Sequence, residues 1–266
     1  MYDITASIVT YKTDINELDK VINSFFKTRL KVKLFISDNS PTDDLKGYFK
    51  NKNYENIEYN FNNYNGGYGW GHNKILKKIK NFSKYHIVLN SDIYFDSGVL
   101  EELFIFMERN RNVGNVMPKV KYPNGEIQYI CKRNPRPLNI ILRTLNLQNK
   151  IFKNMNDIYE MRDTDYNTLM DVEILSGCFM FLRNNIFETI GYFDENIFMY
   201  FEDFDYNRRI RHKYKTIYYP KVEIIHNHAR QAHKDIKMFF IALKSAIYYF
   251  NKWGWIKNRK KGDRYR

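Results

Sequence analysis

The chain has little cysteine. Of 266 residues only Cys131 and Cys178 are cysteines, far apart and without metal-ligand spacing. That excludes a disulfide framework and a cysteine-rich metal site, and it fits a reducing compartment. Long apolar runs are also missing. The longest, Met238 to Phe250, is interrupted by Lys244 and is shorter than the roughly 20 residues a membrane-spanning helix needs. The N-terminus enters the apolar run Ile4–Val9 with no charged lead or cleavage site. No secretory leader is expected, and the expected location is the cytoplasm. Internal repeats and low-complexity linkers are absent. Acidic residues are the minority, 30 against 43 Lys and Arg, for a net charge of +13. A positive surface attracts nucleic acid, anionic lipid or phosphorylated small molecules, and charge alone does not choose among them.

What is present is a chain long enough to bury a real core, rich in Tyr (22) and Phe (20), which is not the composition of a disordered protein. The first half alternates strand and helix signals. Ile4–Val9, Val32–Ile36, Ile57–Phe61 and His86–Leu89 read as strands. Asp14 and Glu17 resemble a capping box ahead of Leu18, Val21, Ile22, Phe25 and Phe26 at helical spacing. A glycine-rich loop, Gly66 to Gly71, opens into a helical run from Asn73 to Phe82, and Asp96 or Ser97 caps a helix carrying Val99, Leu100, Leu103, Phe106 and Met107. This alternation predicts an α/β fold with a mostly parallel central sheet flanked by helices. Ligands of such sheets bind beyond the carboxyl ends of the strands, and Tyr11, Asp38 and Asn90–Asp92 fall there. In the second half, Pro118–Pro137 reads as irregular strands and turns, and Asn139–Tyr159 as helix. Val172–Leu182 reads as a strand split by Gly177, Phe204–Lys213 as helix, Tyr218–Ile225 as strand and Asp235–Trp253 as an amphipathic aromatic helix.

Four groups of residues could carry chemistry. In Leu89-Asn90-Ser91-Asp92, an acid at the end of a buried strand could be compensated by a bound cation, although the tetrad alone reads first as a turn capped by Asp92. In Phe201-Glu202-Asp203-Phe204-Asp205, Asp203 could act as general base and Asp205 could pair with Arg209 four residues on. The same acids also suit a helix N-terminus. His226 ends a strand and could ligate a metal, with imidazole favouring Mn²⁺ over Mg²⁺; His228 lies two residues further on. The glycine loop permits close backbone approach to a ligand, but it does not end in the Gly-Lys-Ser/Thr of a P-loop.

The order of these groups is more specific than any one of them. Ser7-Ile8-Val9-Thr10-Tyr11, Ser37-Asp38-Asn39-Ser40, the glycine loop with Asn73, Leu89–Asp92 and Ser176-Gly177-Cys178-Phe179-Met180 come first. Gly191-Tyr192-Phe193-Asp194-Glu195, Phe201–Asp205, Arg209 and His226 follow. The series resembles glycosyltransferase family 2, of GT-A fold, and most closely its bacterial rhamnosyltransferase-like branch, from about Asp3 to Phe250. The resemblance implies a donor site in which Asp38 accepts from a uracil or thymine base and Thr10 and Tyr11 line the base pocket. Asn73, Asn90 and Ser91 would lie beside the nucleotide-sugar. Asp92 would be the main metal ligand, because Asn90 stands where the family's Asp-x-Asp motif has its first acid. It further implies His226 as a second ligand for Mn²⁺ or Mg²⁺ and Asp203 as the base of an inverting transfer. Gly177, Cys178, Glu202, Asp205 and Arg209 would surround the acceptor.

The implied reaction moves a sugar, L-rhamnose from dTDP-rhamnose as the particular expectation, to a glycan or polyprenyl-diphosphate-linked acceptor in bacterial surface polysaccharide synthesis. The same family with a UDP-hexose or UDP-N-acetylhexosamine donor is the alternative. A nucleotidyltransferase is disfavoured because Ser7 to Asp14 contains neither glycine nor arginine. A basic nucleic-acid binding protein would give no reason for the placement of Asp92, Asp203 and His226, so no nucleic-acid partner is expected. Residues 1–234 would form the catalytic domain, with a nucleotide-sugar half of about 1–115 and an acceptor half of about 116–234. Residues 235–266 would add an amphipathic helix and a basic tail (Lys257, Arg259, Lys260, Lys261, Arg264 and Arg266 against Asp263). That segment either rests on an anionic membrane on the inner face of the cell membrane or packs on the domain.

Overall fold

The computed structural model describes residues 1–52, 55–140, 150–227 and 236–255. The parallel half of the sheet comes from the N-terminal third. Strands β1 (Tyr2–Thr10), β2 (Val32–Asp38), β3 (Ile57–Phe61) and β4 (Ser83–Leu89) are joined by helices α1 (Ile15–Phe25), α2 (Leu45–Lys52) and α3 (Tyr68–Leu76). After them come β5 (Ile93–Tyr94), α4 (Val99–Arg109), β6 (Val113–Lys121), α5 (Lys150–Tyr159), β7 (Met170–Asp171) and β8 (Phe179–Arg183). The chain continues through α6 (Ile186–Thr189), α7 (Glu202–Ile210), β9 (Lys215–His226) and α8 (Ile236–Trp253).

One sheet runs β3-β2-β1-β4-β8-β6-β9-β5, with β7 also on β9. The pairs β3/β2, β2/β1, β1/β4 and β6/β9 are parallel, while β8 is antiparallel to both neighbours and β5 and β7 are antiparallel to β9. The expected α/β architecture is therefore present, with four parallel strands from the N-terminal third and one further parallel pair, β6/β9. Strands such as β1 and β4 are buried on both faces, as parallel strands covered by helices must be.

Several boundaries differ from expectation for physical reasons. Helix α3 starts at Tyr68, inside the glycine run. A Cβ on Gly69 would sit 2.8 Å from Phe193 Cβ and one on Gly71 2.7 Å from a Val9 methyl, so these glycines let the helix lie close on β1 and on the loop before α7. Gly69 and Gly71 therefore serve helix packing. Helix α4 is capped by Gly98 in the left-handed region, φ 90°, not by Asp96 or Ser97. Strand β6 was not evident in the sequence; its register slips between Pro118 and Lys119, where proline supplies no ladder N–H. Residues 172–178 are not strand, and the pattern there resolves into β7, an irregular turn through Gly177, and β8. In the predicted 139–159 helix, residues 141–149 lie outside the described residues, as do Asp235, His228 and the tail from 256 onward.

Candidate active site

Strand register brings the first pair of functional side chains together. Ile93 on β5 faces His226 on β9, so Asp92, one residue before β5, lies beside the end of β9. Asp92 Oδ1 is 3.3 Å from His226 Nε2. Gln128 fixes the ring: its Nε2 donates to the His226 carbonyl at 2.8 Å, which leaves its Oε1 to accept from Nδ1 at 2.9 Å. With the Nδ1 proton committed there, Nε2 faces a carboxylate oxygen, and a positive charge between them, a proton or a divalent cation, reconciles two acceptors. A histidine whose second nitrogen is held by an oxygen is the usual preparation for metal ligation. Among the described residues no group of three or more His, Cys, Asp or Glu could hold a metal by itself. The donor set fits a cation that takes its remaining ligands from a substrate, and the imidazole fits Mn²⁺ better than Mg²⁺.

The second carboxylate centre opens α7. Tyr200 and Phe201 both have φ of 66°, an arrangement costly for aromatic residues. It turns the chain so that Glu202 and Asp203 enter the helix facing the turn at residues 176–178. Asp203 Oδ2 accepts from the Gly177 N–H at 2.8 Å, and Oδ1 accepts from the Phe204 N–H at 2.9 Å. A Cβ on Gly177 would lie 3.1 Å from Asp203 Cβ, so glycine is what permits this approach. Asn207 pins the same helix by donating to the carbonyls of Leu175 and Asp203, each at 2.8 Å. Burial raises the Asp203 carboxyl above its ordinary range, and the Lys132 charge and the two N–H donors only partly offset it.

Glu202, 7% exposed, is pushed up to about 8 by burial and then by the neighbouring Asp203 charge. Glu202 therefore holds its proton to a higher pH than an ordinary carboxyl does. A carboxyl whose folded pKa is raised contributes stability that is complete below its unfolded value, near 4.5, and lost as pH rises through about 8. Glu202→Gln is therefore expected to flatten the fall in melting temperature between pH 5 and 9 and to raise it at the alkaline end. Thermal melts across that range check this, and an unchanged pH profile would mean that Glu202 is ionised in the folded protein.

Tyr68 joins the two centres. Its hydroxyl lies 2.9 Å from Asn90 Oδ1 and 2.8 Å from the Gly177 carbonyl. Its pKa is raised well above normal by burial and then by the charges of Glu202, Cys178, Asp203 and Asp92. Cys178, buried, is pushed up to about 12 by burial, with Asp92 and Asp203 adding to the shift and Ser176 and Lys132 opposing it. The carboxylates of residues 92 and 203 therefore act on the same buried groups. Asn90 N also donates to the Cys178 carbonyl at 2.9 Å, which locks the two segments together.

The base-side residues line the C-terminal edge of β1 and β2. Thr10 and Asp38 are register partners. Asp38 is 0% exposed; its Oδ1 accepts from Thr10 Oγ1 and Ser40 N, both at 3.0 Å, and Oδ2 from Tyr59 Oη at 2.8 Å. Tyr11 stands at the lip, 50% exposed. Asn73 is 1% exposed and spends its amide on the protein, donating to Phe193 O and Glu195 Oε1 and accepting from Phe193 N. It staples α3 to the 193–195 loop. Asp205 and Arg209 pair at 2.8 Å as expected from their spacing, and the pair is buried. Asp205 Oδ1 also accepts from Trp253 Nε1 at 2.9 Å and from Lys252 Nζ at 2.8 Å on α8. Ion pairing with the C-terminal helix is what draws it there. Sequence reasoning missed Tyr68, Gln128 and Lys132. Tyr68 sat in what read as a loop, and the other two lie in the stretch with no periodicity.

Fold and site together define a glycosyltransferase of the GT-A fold. The profile described as Glycosyl transferase family 2 matches residues 5–191. The chain belongs to that family. It is 23% identical over 227 residues to the low-salt glycan biosynthesis hexosyltransferase Agl10 of Haloferax volcanii, covering 85% of this chain and 67% of that protein. It is also 23% identical over 237 residues to the N-acetylglucosaminyl-diphospho-decaprenol L-rhamnosyltransferase of Mycobacterium tuberculosis, covering 84% of this chain and 75% of that one. Among solved structures, GalNAc-T7 with UDP, GalNAc and Mn²⁺ aligns with a TM-score of 0.65 at 16% identity, covering 85% of this chain but only 43% of that chain. S. aureus TarS 1-349 in complex with UDP aligns at 0.58 and 16% identity, covering 94% of this chain and 66% of that chain. These structural likenesses establish the fold.

Proposed function

We propose that the protein is an inverting, metal-assisted transferase that moves a hexosyl-class sugar from a nucleoside-diphosphate donor to a hydroxyl acceptor, with Asp203 as general base. The observation that carries this reading is the Asp203 carboxylate, aligned by the Gly177 N–H, raised by burial, and tied through Tyr68 and Cys178 to the segment holding Asp92. Thr10, Tyr11 and Asp38 would form the base side of the donor site, with Asp38 as the buried carboxylate behind Tyr11. Asn90 and Ser91 would lie beside the ribose and diphosphate. Asp92 and His226 would hold a divalent cation, Mn²⁺ or Mg²⁺, which when bound neutralises charge on the leaving diphosphate. Asp203 takes the proton from the acceptor hydroxyl as its oxygen attacks the anomeric carbon from the face opposite the leaving group. One displacement with one base and no enzyme nucleophile inverts the centre, as in inverting glycoside hydrolysis where a base activates water across the ring. Gly177, Cys178 and Glu202 would border the acceptor.

The names of the two relatives support a hexosyl donor. L-rhamnose from a dTDP-sugar, passed to a polyprenyl-diphosphate-linked glycan in surface polysaccharide synthesis, is the particular version we favour. A UDP-hexose or UDP-N-acetylhexosamine is the alternative. In this reading residues 1–234 form the catalytic domain and α8 belongs to an extension that supports it. Calorimetry with UDP, dTDP, GDP and ADP, with and without Mn²⁺, tests the donor side. Pyrimidine nucleotides are expected to bind only weakly after chelation and tightly when Mn²⁺ is restored, and Asp92→Asn is expected to abolish that gain. A purine preference, or affinity indifferent to metal, would overturn the assignment of Asp38 or of Asp92 and His226.

A further inference from the structure

Helix α8 has two apolar faces, and the domain uses one. Ser245, Ala246, Tyr249, Phe250 and Trp253 are buried against Tyr159, Ile174, Phe201 and Phe204, and Ser245 Oγ donates to the Met199 carbonyl at 2.8 Å. This face clamps the loop that positions Asp203. The other face carries Ile236, Phe239, Phe240, Leu243 and Ile247, exposed at 76%, 42%, 60%, 43% and 42%. At about 100° per residue, Ile236, Leu243 and Ile247 fall within about 40° of one another, with the phenylalanines on either side. So many large exposed apolar groups on one helix are not ordinary surface.

Charge identifies the occupant. Lys237 and Lys244 are exposed beside this stripe, and no acid occurs from Ile236 to Gly262, whereas Lys257, Arg259, Lys260 and Lys261 do. A second copy of a chain with net charge +13 would bring like charges together, whereas an anionic lipid surface complements both the apolar stripe and the cations. Among the described residues no helix is long and apolar enough to cross a membrane, so the contact lies in the interfacial plane.

We infer that the outer face of α8 docks on an anionic lipid bilayer and holds the Asp203 loop, clamped by the opposite face of the same helix, at the membrane surface. Resting on the glycosyl-transfer reading, this makes the acceptor a lipid-anchored one. The docking itself stands whatever the donor.

The full chain is sedimented with vesicles of phosphatidylcholine alone and of phosphatidylcholine with phosphatidylglycerol. Binding is expected only to the anionic vesicles, weakening as salt rises. Phe240→Ser with Leu243→Ser should abolish it, and Lys237→Gln and Lys244→Gln should each weaken it about five-fold. All four residues are exposed, so nucleotide affinity, measured in parallel, should stay at the wild-type value. Wild-type protein left in the supernatant, or a serine variant that binds as wild type, overturns the inference. So does sedimentation velocity showing a wild-type dimer that the serine variant dissolves, because the stripe would then be a self-interface. Lost nucleotide binding with intact vesicle binding would count against the donor site alone.

Discussion

Asp203→Asn is expected to lower turnover by about 10²- to 10⁴-fold, the usual contribution of a positioned general base, while nucleotide affinity in the presence of Mn²⁺ stays within about two-fold of wild type. The amide oxygen can still accept from the Gly177 N–H while the bond from the Phe204 N–H is lost, so the larger loss falls on proton removal. The wild-type pH profile carries a second mark. A base works only when deprotonated, and burial raises this carboxyl; kcat should therefore fall, as pH is lowered, at a pH above the ordinary carboxylate range. Single-turnover rates with acceptor present check both points. Wild-type turnover in a folded Asp203→Asn protein would assign the base elsewhere.

The second large effect is on stability. Lys252 Nζ lies 2.7 Å from Asp194 Oδ2 and 2.8 Å from Asp205 Oδ1. Lys252→Met would leave the buried Asp205 and the partly buried Asp194 without that ammonium. Breaking a buried pair costs about 3–5 kcal/mol, and the lower end applies because Arg209 still bonds Asp205 at 2.8 Å. About 3 kcal/mol corresponds to a melting temperature lower by roughly 6–12 °C in a chain of this size. The sign at low pH is also fixed. Burial alone would raise Asp194, but the Lys252 hydrogen bond and charge outweigh it and bring the carboxyl down to about 2. Its contribution is full above the unfolded value and is lost as pH falls through about 2. Lys252→Met should therefore lose part of the wild-type acid sensitivity below pH 4. Thermal melts from pH 2 to 7 measure both effects. A variant that melts with wild type would show the ion pair to be energetically silent.

Much of the parallel side could be read in advance because its signals are local. Asp14 caps α1 as expected, its side chain accepting from the N–H groups of Asn16 and Glu17, and Ile57–Phe61 forms β3 with the predicted limits. The polar residues at the ends of β1, β2 and β4 could be placed because parallel strands deliver their carboxyl ends to one edge. Beyond β4 the information is non-local. Nothing near Asp92 in sequence announces the two-residue strand that sets it against His226, 134 positions later, and nothing near Gln128 says that its amide will orient that ring. The Asp205–Arg209 spacing was read correctly as a pair, but its further partners are Lys252 and Trp253, which only the folded chain brings near. The glycine run could not be read for its packing role, because the contacts of Gly69 with Phe193 and of Gly71 with Val9 join distant parts of the chain.

The clamp formed by α8 also bears on the order of events during synthesis. Every strand of the sheet is translated before Ile236. A nascent chain can thus complete its sheet while Phe201 and Phe204 still lack the aromatic partners Tyr249, Phe250 and Trp253 that cover them. Ordering of the Asp203 loop waits for this helix, so a message cut short before it would yield a protein able to form its sheet yet not to hold the loop in place.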